Sequence, residues 1–259
     1  ISGLSINSSA SNQGLFGLIN GATIKNLQVE GNVTSSGGYV GGVVGKVQSG
    51  TIQNCSFRGS VESTHAKSGY VGGIAGYTGN SPTQTAAIDG CFNAGSVNGS
   101  HAGGIVGYGK YTAISNCYNV GSIQGSSRSG GIAGQLQNDC KAQNCYNIGN
   151  VQGSGTAGGI CDFLYTSSTL VNCYSTGSIF NAGTGSAENC EVITSTDGLA
   201  EKLGNAFTTD GEGNVVLVWQ AGEQTPERDP RIQITGAATL YDTNSGPKPQ
   251  TTLTVAYQD

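Results

Sequence analysis

Between residues 12 and 190 the apolar positions come in pairs of short runs separated by turn residues, and no run keeps a helical period. Aligned on a glycine pair, the first run reads "YVGGVVG" at 39, "YVGGIAG" at 70, "HAGGIVG" at 101, "RSGGIAG" at 128 and "TAGGICD" at 156, with "NQGLFGL" at 12 as a degenerate copy. A second run follows each: "IKNLQVEGNV", "IQNCSFRGSV", "IDGCFNAGSV", "ISNCYNVGSI", "AQNCYNIGNV" and "LVNCYSTGSI". Most copies are 26 to 28 residues apart; "TGNSPTQTAA" lengthens the third, as a surface loop tolerates. Within the second run Cys117, Asn119, Gly121 and Ile123 fall on one face and Tyr118, Val120 and Ser122 on the other, the period of a strand. One copy cannot bury its own apolar face. Stacked in register, each copy covers the next, which predicts an all-β fold, a β-solenoid like a parallel β-helix, whose turns rise about 4.8 Å apiece.

Such a stack turns repeat positions into columns. Cys55, Cys91, Cys117, Cys145 and Cys173, with Leu27 in the first copy, are expected to point inward as a ladder of small, adaptable apolar groups. Asn26, Asn54, Asn116, Asn144 and Asn172, with Asp89 in the third copy, are expected at the preceding corner, where Asn tolerates the left-handed conformation and can bond up and down the stack. Phe92, Tyr118, Tyr146 and Tyr174 form a column on the outward face. Tyr39 and Tyr70 share another, as do Tyr77 and Tyr108, with Tyr111 close by.

Beyond Cys190 the pattern changes. The predicted solenoid covers residues 1–190. Residues 191–220 are expected to cap its open end, with a short helix carrying Leu199, Leu203 and Phe207 behind an N-cap at Thr196 or Asp197, then the strand "NVVLVWQ". Residues 221–230 read as a linker, and 231–259 as a β segment resembling the start of an Ig-like domain, expected to pack on the cap, to pair with another chain, or to stay unfolded.

Composition narrows the function. Charged residues are 10% of the 259, the net charge is −5, and the eleven basic residues form no stripe, which argues against nucleic acid. No apolar run nears the roughly 20 residues that span a bilayer. Few charges and many Ser, Thr, Asn and Gly point to an extracellular protein. The eight cysteines follow the repeat without C-x-x-C pairs, so neither metal nor cofactor is expected. Cys140 and Cys161 lie outside the ladder in consecutive copies and are the first candidates for a disulfide, against two free thiols.

The paired boxes "GGIVGY" and "NCYNVGSI", six ordered copies over residues 12 to 190, resemble GLUG-motif repeats. That resemblance implies a non-catalytic module of a bacterial cell-surface protein, as in adhesins and the non-catalytic parts of IgA-cleaving metallopeptidases. It also implies a piece of a longer chain, since "ISGL" often precedes the first family repeat. The metallopeptidase relatives carry H-E-x-x-H; here the histidines are His65 and His101, both near turns and in no such motif.

Three functions stay open. Polysaccharide-processing β-helix enzymes need converging carboxylates, and Glu30, Glu62, Asp89, Asp139, Asp162 and Glu188 occupy different repeat positions. An adhesive or ligand-binding module would use the tyrosine columns, with Tyr77, Tyr108 and Tyr111 as the candidates, toward a host glycan or an extracellular protein; the same rings could instead shield the solenoid flank. A passive stalk that carries other domains of the chain fits the same features.

Overall fold

The computed structural model describes residues 1–154 and 156–221 and the backbone of the strand Gln233–Leu240. It is a β-solenoid of about six turns of parallel, in-register strands. Equivalent residues of successive copies lie directly over one another: Ile24, Ile52, Ile88, Ile114, Ala142 and Leu170 form one buried column, and Val33, Val61, Val97 and Ile123 another. The lengthening of the third copy is absorbed outside the stack in a turn closed by Ser81 and Gln84.

The asparagine–cysteine corner organises each turn. Asn26, Asn54, Asn116, Asn144 and Asn172 all have φ between 51° and 58°, the left-handed region that Asn enters more readily than other side chains. Their amides bond along the stack: Asn54 Nδ2 donates to Asn26 at 3.3 Å, Asn144 to Asn116 at 3.2 Å and Asn172 to Asn144 at 2.8 Å. In the third copy the corner is Gly90 (φ 60°), not Asp89, which pairs with Gln53 one position earlier. Asp89 still joins the ladder from there, accepting from Asn116 Nδ2 at 2.8 Å and Ser115 Oγ at 2.7 Å.

The cysteine after each corner points inward and is fully buried from Cys55 to Cys173. Its role is more than apolar filling. Each Sγ donates to the carbonyl two residues back, at 3.0 to 3.4 Å, and the backbone N–H of Cys55, Cys91 and Cys173 donates to the Sγ of the next turn at 3.4 Å. The corner leaves this N–H without a carbonyl partner, and the thiol above supplies one. Cys190, preceded by Asn189 (φ 51°), is a sixth ladder thiol. Burial pushes the Cys91, Cys117 and Cys145 thiols well above their usual range, so they stay protonated. Cys140 and Cys161 are also free thiols, bonded to the Gln137 and Phe163 carbonyls, so the disulfide considered for them is not formed.

Two residues past each cysteine a second inward ladder runs through Asn93, Asn119 and Asn147. Asn93 Nδ2 donates to Asn119 at 2.8 Å, and Asn119 to Asn147 at 2.7 Å. Each amide also brackets the glycine two residues on, so no lone buried polar group results.

The C-terminal segment does not close the open end. Phe92, Tyr118, Tyr146 and Tyr174 do face away from the interior, with rings stacked 4.9 Å apart between Phe92 and Tyr146. They are nonetheless buried, because residues 193–220 run back along them as a strap. The helix Leu199–Leu203 starts at Gly198, in the left-handed conformation and without a side-chain cap, rather than at a Thr196 or Asp197 N-cap. It sits by Tyr174; the hairpin of Phe207–Thr209 and Val215–Leu217 covers Tyr146 and Tyr118, and Trp219 reaches Phe92 and donates to the Gly90 carbonyl at 2.9 Å. The strap is as long as the aromatic column: the first two copies, beyond its reach, carry Gln28 and Ser56 there.

The strand Gln233–Leu240 then lies antiparallel on Phe16–Lys25 of the first turn, at the end opposite to the cap position expected for it. The last turn is left with open edges at Phe180–Gly183, Ser186–Glu188 and Glu191–Val192, each paired on one side among the described residues. The linker at 222–230 and the segment 241–259 lie outside the described residues.

The thiol ladder predicts an order of stability. Cys117→Ser keeps a donor and an acceptor in place, whereas Cys117→Ala leaves the Cys91 N–H buried and unpaired, at about 1–3 kcal/mol. Urea unfolding is expected to find the alanine variant the less stable; the reverse order would refute a hydrogen-bonding role for the sulfur.

Candidate functional site

The tyrosine columns stand on the two strands that flank each glycine pair. Tyr39, Tyr70, His101 and Arg128 are in register on one side. Lys46, Tyr77, Tyr108, Gln135 and Phe163 are in register on the other. Between them the interior is packed with Ile74, Ile105, Ile132 and Ile160, so the side chains of both columns point away from the core. The chain bends sharply enough there to bring the columns together, and glycine permits it: a Cβ on Gly76 would lie 2.4 Å from the Val40 nitrogen, and one on Gly107 2.4 Å from the Val71 nitrogen. Outward side chains seven residues apart meet only across a concave surface, so the columns form the walls of a groove along the stack.

The rings of the two walls meet as one cluster. Tyr39 and Tyr70 are nearly parallel, 11° apart with centroids at 5.7 Å. Tyr77 lies 5.0 Å from Tyr39, and Tyr108 lies 5.0 Å from Tyr70 and 5.3 Å from Tyr77. Tyr77 and Tyr108 are the more deeply buried wall, 9% and 8% exposed, while Tyr39 and Tyr70 are half-buried at the rim of the other. Burial raises the Tyr77 hydroxyl to about 12 and the Tyr70 hydroxyl above its usual value, which keeps both neutral. Tyr108 donates to Gln137 Oε1. Tyr111 stands apart from the ring cluster, at φ 45° in a turn, its hydroxyl accepting from Asn138 Nδ2 at 3.3 Å.

Cations line the same groove. Lys46 Nζ lies 5.7 Å from the Tyr39 ring and 5.5 Å from that of Tyr77, and Lys110 Nζ lies 5.4 Å from the Tyr108 ring. Arg128 lies 4.0 Å from the Phe163 ring and 3.7 Å from Asp162, a fully buried carboxylate that also accepts from Asn181 at 3.2 Å. His101, although near a turn in the sequence, is not in a loop. It lies in the strand Ser96–Gly103, half-buried, with its ring edge-on to Tyr70 at 4.9 Å. Burial, with Arg128 nearby, lowers its pKa to about 4. His65 is exposed in a turn, where its Nδ1 accepts from the Ser68 N–H.

Asp89, Glu62 and Asp139 are engaged elsewhere. Asp89 is engaged in the corner ladder, Glu62 accepts from Asn98, and Asp139 occupies a left-handed turn with Asn138. No three His, Cys, Asp or Glu among the described residues are grouped as metal ligands would be. A separate hollow of about 450 Å³, bounded by Asn147–Val151, Ala157–Gly159 and Thr176–Ser178, is lined by no titratable side chain. The structure brings Tyr77 and Tyr108, two of the sequence candidates, together with Tyr39 and Tyr70 of the neighbouring column and with Lys46, His101 and Lys110, which the sequence did not single out, and leaves the third candidate, Tyr111, apart. The visible signal was a polar or aromatic residue just outside each end of "VGGIAG"; the bend that joins those ends has no local signature.

Comparison with known proteins agrees with the architecture. Residues 36–62 match the GLUG motif. A crystal structure described as a "putative immunoglobulin A1 protease" from Bacteroides ovatus is similar at a TM-score of 0.55, with 24% identity, over 76% of this chain and 75% of that one. This likeness establishes the fold. No curated protein matches the chain.

The depressed His101 predicts a pH dependence. The folded state holds this ring neutral down to about pH 4, whereas the unfolded chain protonates near 6.5. Its contribution to stability is therefore complete above pH 6.5 and declines as the pH falls toward 4. Chemical denaturation across this range is expected to give a shallower decline for His101→Gln than for the unmodified chain; identical slopes would refute the assignment.

Proposed function

We propose that the chain is a non-catalytic, extracellular binding module of a bacterial surface protein, and that it holds its ligand along the tyrosine groove. The observation that carries this reading is a contrast between two aromatic columns. Phe92, Tyr118, Tyr146 and Tyr174 are sealed by the strap, while among the described residues no segment covers Tyr39 and Tyr70. Rings that served only to shield the flank would be covered in the same way. A rim of aromatic edges and hydroxyls beside lysines, in a partly polar surface, suits contact with a sugar chain or an extended protein segment. The Gly-rich, sparsely charged composition and the GLUG motif support a place outside the cell.

Binding is favoured over catalysis by the placement of the acids. Among the described residues Asp162 is the carboxylate in the groove wall, where Arg128 and Asn181 hold it, and no ion pair or acidic cluster there supplies a second carboxylate to share acid and base roles. A passive stalk would need none of the groove's features.

Two measurements test this. On an array of glycans and matrix proteins the chain is expected to give reproducible hits that Tyr70→Ala abolishes while its unfolding midpoint stays within a few degrees, because Tyr70 is half-buried at the rim; a blank array would favour the stalk. No polysaccharide or peptide turnover is expected, and turnover lost in Asp162→Asn would overturn the non-catalytic assignment.

A further inference from the structure

The two ends of the stack are not alike. At the first turn the edge is covered: Leu4–Ser8 lies on residues 31–35, the amino group of Ile1 donates to the Gln28 carbonyl at 2.8 Å, and Gln233–Leu240 lies on residues 16–25. At the last turn Phe180–Gly183, Ser186–Glu188 and Glu191–Val192 are paired on one side among the described residues. The described parts of the chain that could close this end are placed elsewhere. The strap runs away from it to Gly90 in the third turn, and the strand that follows lies on the first.

The open end presents the interior of the stack in cross-section. Phe180 is in register with Cys161, Ala187 with Leu170 and Val192 with Ser175, all inward positions, and Cys190 is the last thiol of the ladder. Val192 is 60% exposed, and Phe180 and Cys190 are half-buried against the core. None of the four is charged. Their strands also keep backbone groups free: Ser186 turns its N–H inward to the Ser168 carbonyl at 3.2 Å, so Ala187, next along the strand, turns its N–H and C=O to the open side. Such a surface calls for a partner with an apolar face and a free strand edge of its own.

A second copy has both, and the closed first turn dictates how it arrives. Head-to-tail addition is blocked, so an open end can meet only another open end, across a two-fold axis that closes the assembly at two. A two-fold sets the edge strands antiparallel. Placed at Ala187, it lets the two Ala187 residues exchange both N–H···O=C bonds and sets Ser186 opposite Glu188 of the other copy, so no two carboxylates face each other there. Glu191 is already held by Lys202 at 2.6 Å. The last turn spans residues 177–193, close to the roughly 20 residues a side of a standard interface.

We infer that two copies of this chain associate end to end through their last turns, with Ala187 on the two-fold axis. Tyr39, Tyr70, Tyr77 and Tyr108 lie on earlier turns, so the pair presents two grooves at once.

The test follows the full chain by sedimentation over a range of concentrations, with amide exchange read at both extremes. The inference expects a monomer–dimer equilibrium with nothing larger, strengthened by salt because each copy carries a net charge of −5. The Ala187 amide is expected to exchange fast in the monomer and about tenfold or more slowly in the dimer. Val192→Lys should raise the dissociation constant about tenfold or more by burying an unpaired ammonium, while the unfolding midpoint of the monomer stays within a few degrees. Val120→Lys, on the flank, should leave the dimer unchanged. A monomer at every concentration would overturn the inference, as would a dimer in which Ala187 exchanges freely or which Val192→Lys does not weaken. Protection of Ala187 in the dilute monomer would mean that the chain covers its own end, and growth beyond two copies would rule out the two-fold; either result overturns it.

Discussion

The structure depends on one constraint: in a parallel, in-register stack, the neighbour of every residue is its own counterpart from the next copy. Whatever a position carries, it must therefore be compatible with itself at about 4.8 Å. Charged side chains fail this test in the interior and at the corners, which accounts for a charged fraction of 10%. Asn passes it, because an amide is both donor and acceptor and can bond to another amide. Cysteine passes it at the following position for a related reason: its sulfur donates to its own turn and accepts from the turn below. The corner and the ladder are thus one device. The left-handed asparagine bends the chain, and the cysteine satisfies the N–H that the bend leaves without a partner.

The same rule makes aromatic columns favourable and hazardous together. Stacked rings gain from one another, but four rings in the open would be an extended apolar patch of the kind that invites association. The chain covers them with residues 193–220, which run from the sixth turn back to the third and end with Trp219 anchored on the corner glycine Gly90. The strap is bonded as well as packed: Tyr118 donates to Gln220, Tyr146 to the Val215 carbonyl, and Asn172 to the Lys202 carbonyl. A further strand, Gln233–Leu240, covers the edge of the first turn, where an unpaired row of N–H and C=O groups would otherwise remain.

Against this background the tyrosine groove is the exception. Here aromatic residues are left at the rim, cations stand over rings instead of pairing with acids, and a histidine is kept neutral by burial. These departures are confined to the two columns that flank the glycine pairs.

Sequence alone determined the features that repeat. The interval between copies, the alternation in "NCYNVGSI" and the Asn–Cys dipeptide specify parallel strands, an inward thiol and a left-handed corner, because these follow from local backbone preference and from burying one face of a period-two strand. Even Cys190 was legible in this way, through the "NC" pair that precedes the change of pattern. Tertiary structure decided what those preferences do not reach. Gly90 rather than Asp89 took the third corner, since the register of the whole stack outweighs the residue type at one position. The strap chose the flank over the open end because its apolar stripe of Leu199, Leu203 and Phe207 matches a column of rings assembled from four copies. The groove exists because a bend at each glycine pair brings together side chains seven residues apart, and the angle of that bend is set by backbone packing against the neighbouring turn, at Gly76 on Val40 and at Gly107 on Val71, which no single copy contains.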